Sequence, residues 1–84
     1  MYEVIFTGKT EKRLNKIPVV WRERILLSLG KLTKDPFIGK KLEGRYKNDY
    51  SIRVWPYRII YTIKKKELIV EVIEIAQRGG AYRK

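Results

Sequence analysis

The stretch Tyr50–Ala76, YSIRVWPYRIIYTIKKKELIVEVIEIA, constrains the fold more than any other part of the chain. Runs rich in β-branched and aromatic residues follow one another there, interrupted at Trp55-Pro56 and again from Lys64 to Glu67. Such runs, bounded by a proline turn and a charged turn, predict three consecutive antiparallel strands. Alternation in the first places Tyr50, Ile52 and Val54 on one face and Ser51, Arg53 and Trp55 on the other. In the second, Tyr57, Ile59, Tyr61 and Ile63 oppose Arg58, Ile60 and Thr62. The third is apolar on both faces, which fits either a central strand or a bulge near Glu71 to Glu74. Arg53 and Arg58 lie on the hairpin and Arg78 follows the last strand, so function is expected on the face of this sheet.

Upstream, Tyr2 to Phe6 alternates as a short strand, and Thr7 is placed to cap a helix that follows. From Lys9 to Lys16 the chain is nearly all polar, so this helix is short, solvated and anchored by Leu14 and Ile17. Pro18 suits the start of a second helix. Trp21, Ile25, Leu29 and Leu32 recur there at spacings of three and four, with Leu26 flanking them. Trp21 reads as a core anchor rather than a base-stacking platform. Asp35-Pro36 ends the helix, because the residue before a proline resists helical geometry. The apolar stripe needs a cover, and the sheet is the only one available. The predicted architecture is therefore α+β: an N-terminal strand, a helical hairpin, then a three-stranded antiparallel meander (β-α-α-β-β-β). The opposite sheet face is expected to be concave, basic and free.

With 84 residues the chain is expected to form a single domain over residues 1–84. Cysteine and histidine are both absent, which removes disulfides, thiolate chemistry and the usual zinc ligands. No metal or other cofactor is expected. The N-terminus lacks the pattern of a signal peptide, and no apolar run reaches membrane-spanning length, so a cytoplasmic location without membrane contact is expected. Lys and Arg total 20 against 9 acidic residues, a net charge of +11. An excess of one sign is not what heat-adapted ion-pair networks need, and it points to a polyanion or an acidic protein partner. Between Phe37 and Asp49, Lys40, Lys41, Arg45 and Lys47 are interspersed with Gly39 and Gly44. Such a loop either follows a phosphate backbone or is a solvated connection; its place before the arginine-bearing strands favours the first.

Taken together, several of these segments resemble the RelE/ParE toxin superfamily, and within it the RelE-like messenger-RNA interferases. The resemblance rests on RLNKIP (Arg13 to Pro18), KDP (Lys34 to Pro36), KLEG (Lys41 to Gly44), Y-x-I-R-V (Tyr50 to Val54), YRIIY (Tyr57 to Tyr61) and R-x-x-x-Y (Arg78 to Tyr82), in that order. It implies the toxin of a type II toxin–antitoxin pair, an endoribonuclease that cuts messenger RNA in the ribosomal decoding site without a metal. The ribose 2′-hydroxyl would attack the adjacent phosphate, which calls for a base, cations for the phosphate and an acid for the leaving oxygen. Arginine does not lose its proton in practice, so Arg53, Arg58 and Arg78 suit phosphate clamps better than bases. The resemblance assigns Arg58 as the main clamp, Arg78 as charge partner near the leaving oxygen, Arg53 as a further cation of the site, and Tyr82 as base or nucleophile positioner. Ser51 stands where active relatives often carry lysine, and Gln77 where histidine is frequent. The resemblance also implies a cognate acidic antitoxin. Two other readings compete: a ParE-like inhibitor of DNA gyrase, and a non-enzymatic basic RNA-binding module.

Overall fold

The computed structural model describes residues 1–77. The chain runs β1 (Glu3–Phe6), α1 (Gly8–Asn15), α2 (Val19–Leu32), β2 (Lys40–Lys41), β3 (Tyr50–Val54), β4 (Tyr57–Lys64) and β5 (Ile69–Gln77). Short 3-10 turns at Pro36–Ile38 and Gly44–Tyr46 flank β2. The strands form a five-stranded sheet in the order β1-β5-β4-β3-β2. The expected α+β layout is present, and the helical hairpin and the meander fall where the sequence places them. Two features go beyond it. The two-residue strand β2 pairs antiparallel with β3, and β1 returns to pair in parallel with β5. The β1–β5 pairing joins residues more than sixty positions apart, and Lys40–Lys41 carries no strand pattern of its own.

Each helix end has a local cause. The Thr7 hydroxyl accepts from the Thr10 amide at 3.2 Å and starts α1. The buried Thr10 hydroxyl lies 3.0 Å from the Val72 carbonyl, tying α1 to β5. Asp35 caps the turn after α2 by accepting from the Phe37 amide at 3.1 Å. Ile25, Leu29 and Leu32 of α2, with Leu14 and Ile17 before it, pack on Val54, Tyr57, Ile59, Tyr61, Val70, Val72 and Ile75. Trp21 is half-buried against this core and Leu26 is exposed at its margin. Tyr61 is fully buried and donates to the Pro36 carbonyl at 2.7 Å. Burial pushes its phenol up to about 12, with the Gly39 backbone pulling slightly the other way.

Both readings of the third strand hold. β5 lies inside the sheet between β1 and β4, and its register with β4 slips where Ile60 faces Glu74 but Tyr61 faces Val72. Ile73 is the extra residue, and it realigns Glu74 and Ala76 with the face that the helices leave free. One assignment is corrected. Trp55 does not continue the Ser51–Arg53 face; its ring meets Trp21 of α2 edge-on at 6.1 Å. The pleat ends at Val54, and the apolar ring turns from the charged side towards Trp21. No helix among the described residues is long and apolar enough to cross a membrane.

Candidate active site

The register places two rows of side chains across the sheet face turned away from the helices. The first row is Arg53, Arg58 and Ala76, directly paired across β3, β4 and β5. Directly opposed residues on antiparallel strands hold their Cβ atoms about 5 Å apart, so the two guanidinium groups emerge side by side. Arg53 is exposed and Arg58 half-buried, and neither has an ion-pair partner among the described residues. Ala76, buried and small, leaves the flank of Arg58 uncluttered. Like charges placed opposite one another oppose folding, and nothing in the sheet relieves them. A bound anion would.

The second row runs Lys40, Ser51, Ile60 and Glu74 across β2, β3, β4 and β5. The segment after β2 folds over this row. From it the Tyr46 hydroxyl donates a short hydrogen bond to Glu74 Oε1. That bond, with burial and the Glu74 charge behind it, raises the Tyr46 phenol above its usual range, while the nearby Arg45 partly offsets the rise. The expected basic, open face is thus mixed: Glu71 and Glu74 lie on it, and Ser51, Ile60 and Ala76 are buried. Alternation along β5 brings both carboxylates to this side once the bulge is counted. What remains open and purely cationic is the Arg53–Arg58 end.

The loop cations divide. Lys40 shares the face of Arg53 and Arg58, being paired with Ser51, and Arg45 stands beside Tyr46 and Glu74. Lys41 pairs with Tyr50 on the helix side, and with Lys47 it lines a groove at the sheet edge. The structure therefore brings Lys40 and Arg45 towards the arginine pair and leaves Lys41 and Lys47 away from it. Gly39 serves packing: a Cβ there would lie 2.7 Å from the Ser51 carbonyl oxygen and closer still to the Tyr61 hydroxyl. Gly44 holds φ at +72°, a left-handed conformation that favours glycine.

Arg78 and Tyr82 lie outside the described residues. Gln77, the last described residue, is exposed and pairs with Tyr57, one step from the Arg58–Ala76 pair. Ser51, where lysine was the expectation from resemblance, is buried beneath the loop, a place that suits a short side chain better than a long cation. Sequence reasoning missed the Tyr46–Glu74 link, which spans 28 positions and has no local signature.

Comparison with known proteins adds an independent line. The family model described as the ParE toxin of the type II toxin–antitoxin system parDE matches residues 4–82. Toxin RelE of Mycobacterium tuberculosis is 31% identical, aligned over 98% of this chain and 87% of the relative. Among solved structures, the isolated E. coli RelE toxin superposes with a TM-score of 0.83 at 25% identity, covering 98% of this chain and 92% of that one. The archaeal RelE–RelB complex from Pyrococcus horikoshii gives a TM-score of 0.80 at 27% identity, over 95% of this chain and 98% of that one.

Proposed function

The chain belongs to the RelE/ParE superfamily of type II toxin–antitoxin toxins, and from that premise we propose that it is a RelE-like endoribonuclease acting on messenger RNA in the ribosomal decoding site. The observation that carries this reading is the directly opposed, unneutralised pair Arg53–Arg58 on the sheet face away from the helices. Two forked cations side by side fit a phosphodiester, whose two free oxygens each accept charge-assisted hydrogen bonds. Their grip strengthens as the phosphorus gains a fifth oxygen and negative charge builds, which is the condition for accelerating the step rather than merely binding substrate.

In the proposed reaction the ribose 2′-oxygen attacks phosphorus while the bond to the 5′-oxygen breaks. The products are a 2′,3′-cyclic phosphate and a free 5′-hydroxyl. The 2′-proton passes to a base and the departing oxygen takes one up. Arg58 is the main clamp and Arg53 the second cation. Tyr82 is base or positioner of the nucleophile, and Arg78 is the charge partner of the leaving oxygen. Lys40 and Arg45 extend the cationic surface along the message, with Lys41 and Lys47 contacting RNA further out. No cofactor enters this scheme. The working unit is one domain over residues 1–84, acting in the cytoplasm. Its natural restraint is an acidic antitoxin that wraps the basic surface and folds as it binds; the Pyrococcus horikoshii relative is described as a complex with RelB.

The family model's ParE description favours a second reading, a ParE-like poison of DNA gyrase that leaves RNA intact. Mapping 5′ ends across messages after brief induction separates the two. The nuclease reading predicts new 5′-hydroxyl ends inside translated regions, absent with Arg58→Ala. Intact messages with DNA breaks would replace it by the gyrase reading.

A further inference from the structure

Helix α1 has a buried side, Thr10 and Leu14, and an exposed side on which Lys9, Lys12, Arg13 and Lys16 recur at spacings of three and four. Four cations therefore share one helix face. They do not simply face bulk water. All four line a groove between α1 and the Ile73–Ile75 segment of β5, where that strand has run past the end of β1. Glu74 is the only acid on this groove, and Tyr46 already holds it. Arg13 and Lys16 also line a second groove of about 330 Å³, whose other walls include Trp21, Pro56 and Tyr57 and whose lining holds no acid.

Trp55 adjoins that second groove through its chain neighbour Pro56 and its ring contact Trp21, both of which line it. It is 64% exposed, the most exposed aromatic ring among the described residues with a large apolar surface, and Trp21 braces it edge-on at 6.1 Å. Arg24 in turn covers Trp21 at 5.1 Å, fixing the brace. The Trp55 ring lies on the helix side of the sheet, away from Arg53, and so belongs with Arg13 and Lys16 of the α1 face. A solvent-facing indole beside a row of cations with no ion-pair partner among the described residues has the makeup of a single-strand binding track, in which cations follow the backbone and an aromatic face takes a base.

We propose that α1 and the β3–β4 turn form an RNA subsite separate from the cutting centre. Lys9, Lys12, Arg13 and Lys16 carry the phosphates of single-stranded message, and Trp55 stacks on one of its unpaired bases. The inference rests on the nuclease reading for its choice of RNA as ligand.

The test uses the full chain and a labelled ten-nucleotide RNA with 2′-O-methyl riboses, which binds without being cut. Fluorescence anisotropy reads the affinity. Trp55→Ala should weaken binding about tenfold, the scale of one base–aromatic stack, and leave the salt dependence unchanged. Trp55→Tyr, which keeps a stacking face, should bind within about threefold of the parent chain. The double variant Lys12→Glu/Lys16→Glu should both weaken binding and flatten its salt dependence. A duplex of equal length, with no free base faces, should be indifferent to Trp55→Ala. Unchanged binding by Trp55→Ala, or an equal loss for the duplex, overturns the proposal. So does a polyglutamate peptide that depends on Trp55 as strongly as the RNA, which would mark a protein-docking surface instead. These readouts do not involve cleavage. RNA binding of this kind by a chain that cuts no message would defeat the nuclease reading alone, and cleavage with Trp55-independent binding would defeat the subsite alone.

Discussion

At one end of the exposed sheet face Lys64 meets Glu71 at 3.2 Å, and at the other Arg53 lies directly across from Arg58 with no carboxylate paired to either among the described residues. The same strands, β4 and its neighbours, carry both arrangements. At the first end opposite charges sit within contact, and in the row between the two ends the Tyr46 hydroxyl satisfies Glu74, so that part of the surface is neutralised from within. At the second, like charges are held together by the register of a tight hairpin. Such a pair costs about 0.2–1 kcal/mol against an uncharged one. On the proposed function, the end left charged is the one that takes an outside anion.

Reversing that asymmetry should have the largest effect. Arg58→Glu gives Arg53 an opposite charge and removes the main clamp. Message cleavage should fall by at least about a hundredfold, the loss seen when one preorganised charge is removed, while the melting temperature stays level or rises. A cleavage assay beside a calorimetric scan checks both halves.

The covered side of the sheet should respond in stability and not in chemistry. Tyr61 has a phenol raised from 10 to about 12 by burial. The fold favours the neutral form, so its contribution is complete below pH 10 and is lost as pH rises through 12; by about pH 11 the loss is on the order of 1 kcal/mol. Urea unfolding at rising pH should show this decline. Tyr61→Phe should lower stability at neutral pH by about 1–3 kcal/mol, since the Pro36 carbonyl loses its donor, and should flatten the alkaline decline.

The neutralised end can be probed more gently. Tyr46→Phe leaves Glu74 half-buried without its donor and should cost about 1 kcal/mol. The smallest change expected is Lys64→Ala, an exposed pair contributing about 0.5 kcal/mol that vanishes in high salt. Neither should slow cleavage more than about twofold. Denaturation midpoints at low and high salt, taken with the same cleavage assay, would expose a functional role hidden at this end.

Much of this arrangement was readable from residue order alone. Strand alternation put Arg53 and Arg58 on one face, Thr7 marked a helix start, and the Trp21–Leu32 stripe named the side that the helices cover. What escaped was non-local. β2 is two lysines made into a strand only by the neighbouring β3, and β1 finds β5 across the whole helical hairpin. Gly39 looked like part of a phosphate-following loop, yet its lack of a side chain admits the Tyr61 hydroxyl and the Ser51 carbonyl. Trp55 left the face that simple alternation assigned it, because a turn residue obeys its contacts rather than the pleat. The basic character of the open face was overstated for a similar reason: counting cations along the chain does not show that Glu74 is brought among them by a bulge.

Whether Arg53 and Arg58 grip one phosphodiester together is read out by a double-mutant cycle on single-turnover cleavage of a message bound to programmed ribosomes. With a shared grip, Arg53→Ala and Arg58→Ala each slow the cut, Arg58→Ala by about a hundredfold, and the double variant is far less impaired than the product of the two. Two single variants that cut within a few-fold of the parent chain, or two independent losses that multiply cleanly, would contradict it.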